Sequence, residues 1–443
     1  MVNARGGLYF LSPWPSTSRA LRWLLLLGCG CKGEPVDVPW CSDDATPAAS
    51  AAATPPTWTE IGPLFGQKCG SCHTEGGHAP FSVATLDDVL PWLSSIRVSV
   101  ASRAMPPWLA AGCCQSWFQD YSLSDEEVEE VDAWIDAGAP AGEGTGAALT
   151  PIGGLSRTDL SLTMPEPYTP RGSDEVRCFV FTWPESERVF VTGLEPLPGN
   201  RSIVHHLLVS MVAPADADEV DEADEADPSP GFDCTGGLGS LPSPTPLGGS
   251  LLGGDYPRGI GTPIEPGSRI LLQVHYSVEG EAAPDQTSLD FRIDSEAVAT
   301  STMYLANPGW MIGTGMSIPA GEADATFFYR YRPTLYTQGK PVQIEGVTPH
   351  MHRYATRMRV LALHADGTDD CLLEIPEWRF GWEQPYWFAD PVTLGAEDEL
   401  YIECHFDNSA GNQPEGAEPR DIAWGDSDQD MCAAFLWFTR EGG

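Results

Sequence analysis

Apolar and polar positions change rhythm along this chain. From Trp58 to about Gly138 they recur with helical spacing, and the last segment is the clearest. Ser124 is placed to cap a helix, Glu127 completes a capping box, and Val128, Val131, Trp134 and Ile135 form one apolar stripe that Gly138 ends. From about residue 155 the period shortens. Runs rich in Val, Ile, Leu, Tyr and Phe alternate with Gly/Pro/Asp turns, as in Ile203–Val212, Arg269–Val278, Met358–His364 and Glu399–Phe406. Many short strands with such turns predict β-sandwich architecture, and nearly 290 residues suit two sandwiches better than one.

Segments without a packing pattern divide these blocks. Arg19 and Arg22 precede the apolar run Trp23–Leu27, then Gly28 and Cys29. A basic flank before a short apolar stretch predicts an export signal over 1–28. Leu-Leu-Gly-Cys is similar to a bacterial lipobox, which makes Cys29 the expected lipidated N-terminus. An ordinary signal peptide is the other reading. An Ala/Pro/Ser/Thr-rich stretch reads as a tether over 29–57, and a Gly-rich one as a linker over 141–154. The expected organisation is then a compact helical block over 58–140 and two sandwiches over 155–300 and 301–443.

Charge removes some function classes. With 24 Lys+Arg against 63 Asp+Glu, the formal net charge is −39. Such a chain repels nucleic acid and anionic lipid, so membrane contact is expected only through the lipid anchor. Asp216–Asp227 holds eight carboxylates and no cation, and reads as a solvated, disordered loop.

Cys69-Gly-Ser-Cys72-His73 is a CxxCH motif. Its two thiols can bond the vinyl groups of a haem while His73 supplies the proximal imidazole, giving haem c as a cofactor. Met105, in Ala-Met-Pro-Pro, is the candidate second axial ligand, with His78 as the runner-up. The block resembles class I cytochromes c, which implies a small all-α domain.

The chain has nine histidines, and five of them fall in three apolar segments. His205 and His206 lie in Ile-Val-His-His-Leu-Leu, His275 in Gln-Val-His-Tyr, and His350 and His352 in Pro-His-Met-His. Residues i and i+2 of a strand share a face, so His350 and His352 can share a metal. Adjacent His205 and His206 start on opposite faces and need a twisted or edge position to do so.

The pattern HH…QVHY…HxH…MC resembles the copper type II, ascorbate-dependent monooxygenases, the group of peptidylglycine α-hydroxylating and dopamine β-monooxygenases. Trp382-Glu383-Gln384 with Tyr386, Cys404 with Asp407-Asn408-Ser409, and Trp424-Gly425 extend the match over roughly residues 155–443. The resemblance implies two eight-stranded antiparallel jelly rolls, each with one copper. His205, His206 and His275 would hold the first, and His350, His352 and Met431 the second, where O₂ reacts. A thioether favours Cu(I) and imidazole suits both oxidation states. The resemblance also implies disulfides Cys178–Cys234 and Cys404–Cys432. Partners implied are O₂, a small organic substrate with a C–H bond to hydroxylate, and a one-electron donor, either ascorbate-like or a redox protein. The peptide-hydroxylating members hold the substrate carboxylate with an arginine and a tyrosine. Those positions are Thr348 and Phe435 here, and a neighbouring asparagine is Ala433, which turns expectation away from peptides. The alternative function is a copper- and haem-binding electron-transfer protein without hydroxylase activity. His364 and His405 are expected to be structural.

Twelve cysteines less Cys29, Cys69 and Cys72 leave nine, an odd number. Of the vicinal Cys113 and Cys114, one could pair with Cys41 or Cys31, and Cys371 could be left free. Export and paired cysteines together predict an extracytoplasmic location.

Overall fold

The structure, a computed structural model, describes residues 35–41, 55–75, 79–143, 153–234, 244–249, 253–278, 280–414, 416–425 and 429–440. The predicted signal segment, Cys29, Cys31 and His78 lie outside them, as does most of the tether and linker. Among the described residues no helix is long and apolar enough to cross a membrane.

Among the described residues four α-helices precede the strands: α1 (Trp58–Cys69), α2 (Leu86–Val89), α3 (Leu93–Ala101) and α4 (Asp125–Asp136). The Ser124–Glu127 capping box of α4 forms as its sequence predicts, and Val131 and Trp134 are buried. Among the described residues ten strands follow in the first half. They are β1 (Leu160–Thr163), β2 (Asp174–Thr182), β3 (Val189–Leu197), β4 (Val204–Val212), β5 (Phe232–Asp233), β6 (Thr245–Gly249), β7 (Gly254–Asp255), β8 (Ile260–Ile264), β9 (Arg269–Ser277) and β10 (Ser288–Asp294). The second half holds β11 (Val298–Leu305), β12 (Ser317–Ile318), β13 (Ala325–Tyr331), β14 (Val342–His350), β15 (Ala355–Leu363), β16 (Asp369–Ile375), β17 (Tyr386–Leu394), β18 (Glu399–Phe406), β19 (Ile422–Ala423) and β20 (Ala433–Arg440).

Two sandwich cores result. In the first, β5-β2-β9-β4-β6 packs over β1-β10-β3-β8 around Phe179, Leu207, Leu272 and Phe291. In the second, β13-β18-β15-β16 packs over β11-β20-β14-β17 around Ile344, Val360, Ile402 and Phe438. The cores do not form two separate eight-stranded jelly rolls. Parallel pairing of β8 with β11, Val298 opposite Ile260, joins their inner layers into one nine-stranded sheet. The expected boundary at residue 300 falls inside β11, and the chain crosses over between Asp294 and Val298.

The separate all-α cytochrome c domain expected over 58–140 is also not formed. The chain is mostly β-sheet, and its short N-terminal helices belong to the same compact unit, Pro39–Gly443, as the sandwiches. The reason is covalent and hydrophobic. After α3 the chain runs as a strap along the second sandwich. Ala111 N–H donates to Glu374 O, Phe118 N–H to Trp387 O, and Ala389 N–H to Ser116 O, at 2.7–2.8 Å. Trp108 and Trp117 pack on Tyr386, with ring centroids 5.0 and 5.6 Å away. Cys114–Cys371 bonds the strap to β16, and Cys41–Cys113 brings in the segment ahead of α1. Cys371 is therefore not free. Cys178–Cys234 and Cys404–Cys432 pair as the resemblance implies. Four disulfides fit an oxidising, extracytoplasmic compartment.

The acidic run is not a disordered loop. Ala217–Ala226 is a helix, α5, because Val220 and Ala223 share a face that packs on Val176, Phe232 and Leu271, and Ala217 at its start is buried as well. Arg269 meets Asp221 at 2.7 Å and Arg177 meets Asp227 at 3.2 Å, which offsets part of the repulsion.

Candidate metal centres

The first histidine set stands on the adjacent strands β4 and β9. His206 pairs directly with His275, and the register slips between Val204 and His206. His205 is thus the extra residue of a β-bulge. A bulge turns one residue out of the alternation, which resolves the facing problem of two consecutive histidines. Burial records the same slip: Val204 and Leu207, three apart, are both buried, whereas regular alternation would space them by two.

The result is a cluster in which one ring nitrogen of each of His205, His206 and His275 lies within 4.8 Å of the others. His205 Nδ1 and His206 Nδ1 stand 3.1 Å apart. His275 donates from Nε2 to Asp174 Oδ1 at 2.8 Å, which leaves its Nδ1 bare. Burial pushes His206 down to about 3, and burial with the nearby His275 lowers His205. Burial thus favours the neutral form of both rings, the state a copper ligand needs. The residues fit an imidazole-only copper site.

The second set stands where β14 ends. His350 and His352 obey the i, i+2 rule, and their Nε2 atoms face each other at 3.3 Å. Both outer nitrogens have acceptors. His350 Nδ1–H donates to Glu383 Oε2 at 2.8 Å, and His352 Nδ1–H to Gln429 O at 3.2 Å. Such outer partners fix the tautomer and aim the inner nitrogen. Asp430 Oδ1 accepts the backbone N–H of His352 and of Met431, and its Oδ2 that of Tyr354, each at 2.8 Å. One buried carboxylate thus holds the backbone of Met431 beside that of His352. Burial, against those three N–H groups, pushes Asp430 up to about 7. Two converging imidazoles with a methionine backbone alongside fit the expected second copper.

The two sets are neighbours. The loop between β16 and β17 carries Phe380, whose ring centroid lies 4.8 Å from His205 and about 6.1–6.2 Å from His206, His275 and His352. Three residues on, Glu383 lines a cavity of about 10 Å³ with His206, Thr348, His350 and Phe435. Thr348 and Phe435 face each other in the β14–β20 ladder. A larger cavity of about 50 Å³, walled by Trp108, Tyr121, Tyr256 and Trp387, touches none of the expected ligands. Sequence reasoning quoted Glu383 for the resemblance but gave it no role, and it passed over Phe380, Asp430 and Asp174. An acid inside the aromatic run Phe380-Gly-Trp-Glu-Gln-Pro-Tyr-Trp-Phe388 was the available signal for Glu383.

The CxxCH turn follows α1. Cys69 and Cys72 are the free thiols among the described cysteines, the other eight being paired. Burial raises both thiols, Cys69 to about 12, and lowers His73. His73 Nδ1–H donates to Phe81 O at 3.1 Å, which leaves Nε2 for an axial bond. Phe81 stacks on Trp92 at 4.7 Å, while Leu90, Trp92 and Met105 are 36–40% exposed. Met105 follows α3 with its N–H on Ser99 O. Two unpaired thiols, an imidazole with one bare nitrogen and an uncovered apolar surface fit a covalent haem. Tyr121 bonds Ser71, and Arg201, on the turn before β4, lies within electrostatic reach of Cys72.

His364 sits between Asp398 and Asp370 at 2.7 and 2.9 Å, and His405 between Asp324 and Glu403 at 2.7 and 2.9 Å.

No family model matches the chain, and no curated protein does. Among solved structures it is similar to that of the infectious bursal disease virus Gx strain, at 9% identity over 66% of this chain and 76% of that one, TM-score 0.18. It is also similar to a putative secreted protein from Parabacteroides distasonis, at 8% identity over 64% and 89%, TM-score 0.15. Likeness this low carries no argument about fold or function.

Proposed function

We propose that this chain is an extracytoplasmic copper-dependent monooxygenase that hydroxylates a C–H bond of a small organic substrate, R–H + O₂ + 2e⁻ + 2H⁺ giving R–OH + H₂O. Lipidation at Cys29 would tether it to a bacterial membrane. The observation that carries the reading is the pair of neighbouring histidine sets: three convergent imidazoles on the first sandwich, two on the second, and one phenyl ring between them.

His205, His206 and His275 would hold one copper, and His350, His352 and Met431 the other. Bound copper supplies one-electron redox chemistry and activation of O₂, with two metals matching the two electrons needed. A haem c on Cys69, Cys72 and His73, with Met105 as second axial ligand, would supply electrons from an ascorbate-like or protein donor. The chain's own residues do the rest. Asp174, Glu383 and Gln429 fix the imidazole tautomers. Asp430 registers Met431 against His352. Phe380 fills space that water would otherwise take. Thr348, Phe435 and Glu383 line the cavity beside His350 with no cation among them, so a substrate carboxylate is disfavoured there.

The test is copper-loaded protein given ¹⁸O₂, an electron donor and a panel of small apolar substrates. The reading expects two copper ions and one covalent haem iron per chain, and one ¹⁸O atom per hydroxylated product. Two coppers and a haem without labelled product would leave the electron-transfer alternative standing instead.

A further inference from the structure

The six expected copper ligands are all neutral, five imidazoles and one thioether. Two bound copper ions therefore bring positive charge into a largely enclosed region with no anion among their ligands. Cations buried without a counter-charge are strongly disfavoured. Three carboxylates lie close enough to answer that charge.

Asp174 is 63% exposed and pairs with His275 alone, so water screens it. Asp430 has both oxygens committed to backbone N–H groups of the second set, and burial favours its neutral form. Glu383 differs from both. It is buried, one oxygen accepts from His350, and Oε1 has no hydrogen-bond partner. It lines the cavity whose walls include His206 of one set and His350 of the other. Glu383 therefore stands within reach of both histidine sets, with one oxygen uncommitted.

We propose that Glu383 is a carboxylate shared by the two copper sites, a positioning and charge-compensating residue that serves both sets from the loop between β16 and β17. The proposal rests on the copper reading above. Attraction to a fixed anion scales with the ion's charge. Glu383 therefore stabilises Cu(II) over Cu(I) at both sites and sets their potentials together.

The experiment compares wild type with Glu383→Gln, which keeps the shape and the acceptor for His350 but removes the charge. Each set is read alone, in His352→Ala or His206→Ala backgrounds, by competition of Cu(I) and Cu(II) with chelators of known affinity. Cu(II) affinity is expected to fall about tenfold or more at both sets, the scale of outer-partner effects on metal sites, with a smaller fall for Cu(I). Asp174→Asn should weaken the first set only. A fall confined to the second set overturns the proposal, because Glu383 then only orients His350. Unchanged affinities in a folded variant overturn it as well. If Glu383→Gln does not fold, Glu383→Asp keeps the charge. The first set's Cu(II) affinity should then stay within about threefold of wild type, and an equal fall at both sets overturns the idea. Wild type that binds no copper at these histidines removes the copper reading itself; two tight coppers with an inert Glu383 remove only the sharing.

Discussion

His205 and His206 are neighbours in sequence, His350 and His352 are two apart, yet each pair converges. The first pair does so through a bulge that removes one residue from the strand alternation, the second through the alternation itself. Their supports differ as well. The first set leans on one surface carboxylate, Asp174, and presents Nδ1 atoms inward. The second is gripped by Glu383, Gln429 and Asp430 and presents Nε2 atoms. Outer partners restrict ring motion, so the second set is the better preorganised. On the proposed copper reading, this contrast would divide the labour between the two sets. A site that only passes an electron tolerates adjustment, whereas a site that must hold O₂ and a C–H bond in register does not.

Single-ligand variants test that division most severely. Met431→Ala should retain the copper held by His205, His206 and His275, and lose hydroxylation by more than about 100-fold, beyond the usual cost of losing an outer partner. His206→Ala should do the converse for metal content, keeping the second copper. Copper analysis with paramagnetic resonance on both variants reads this directly. If either variant loses both coppers alike, the sets are not independent sites.

Bracing is the next difference to test. The strap that carries Trp108 and Trp117 touches the second sandwich near its histidines. Gln384 Nε2 donates to Pro107 O at 3.3 Å, and the Tyr386 hydroxyl accepts from Leu109 N–H at 3.3 Å. Replacing Cys114 and Cys371 together by Ser should cost about 2–5 kcal/mol in denaturant unfolding. The same change should weaken the second copper more than the first. Equal weakening would mean the strap stabilises the fold generally and does not brace one site.

How much of this the sequence carried depends on range. The His350–His352 pair was legible because strand period is a local property. Helix α4 was legible because Ser124 and Glu127 sit three residues apart. The bulge that lets His205 and His206 converge was not, although the Val204–Leu207 spacing hinted at it, and only the resemblance put the two on one copper. The helices of the N-terminal block were visible, but not that they join the sandwiches. That depends on Cys114 meeting Cys371, 257 residues away. The acidic run misled for a simpler reason. Counting its carboxylates hid the Val220 and Ala223 face, and its counter-ions Arg177 and Arg269 come from other strands.

The mildest effect concerns protons, and it has opposite signs in the two sets. In the folded, metal-free chain His206 sits near 3 instead of the ordinary 6.5. Between those values the unfolded chain carries a proton there that the folded chain does not, so stability falls as pH drops from about 6.5 toward 3. Asp430 sits near 7 instead of 3.8. Between those values the folded chain holds a proton that the unfolded chain lacks, so its contribution is full below about 3.8 and is lost as pH rises through 7. At pH 5 unfolding therefore takes up a proton at His206 and releases one at Asp430, and wild type shows little net change from the two. His206→Leu should lower net proton uptake on unfolding by about one, and Asp430→Asn should raise it by about one. Unfolding midpoints of the metal-free variants across pH 4.5–5.5 measure both slopes. Slopes that shift in the same direction would mean the two sets are buried in the same electrostatic setting, and the contrast between a lightly braced all-imidazole set and a gripped one would fail at its root.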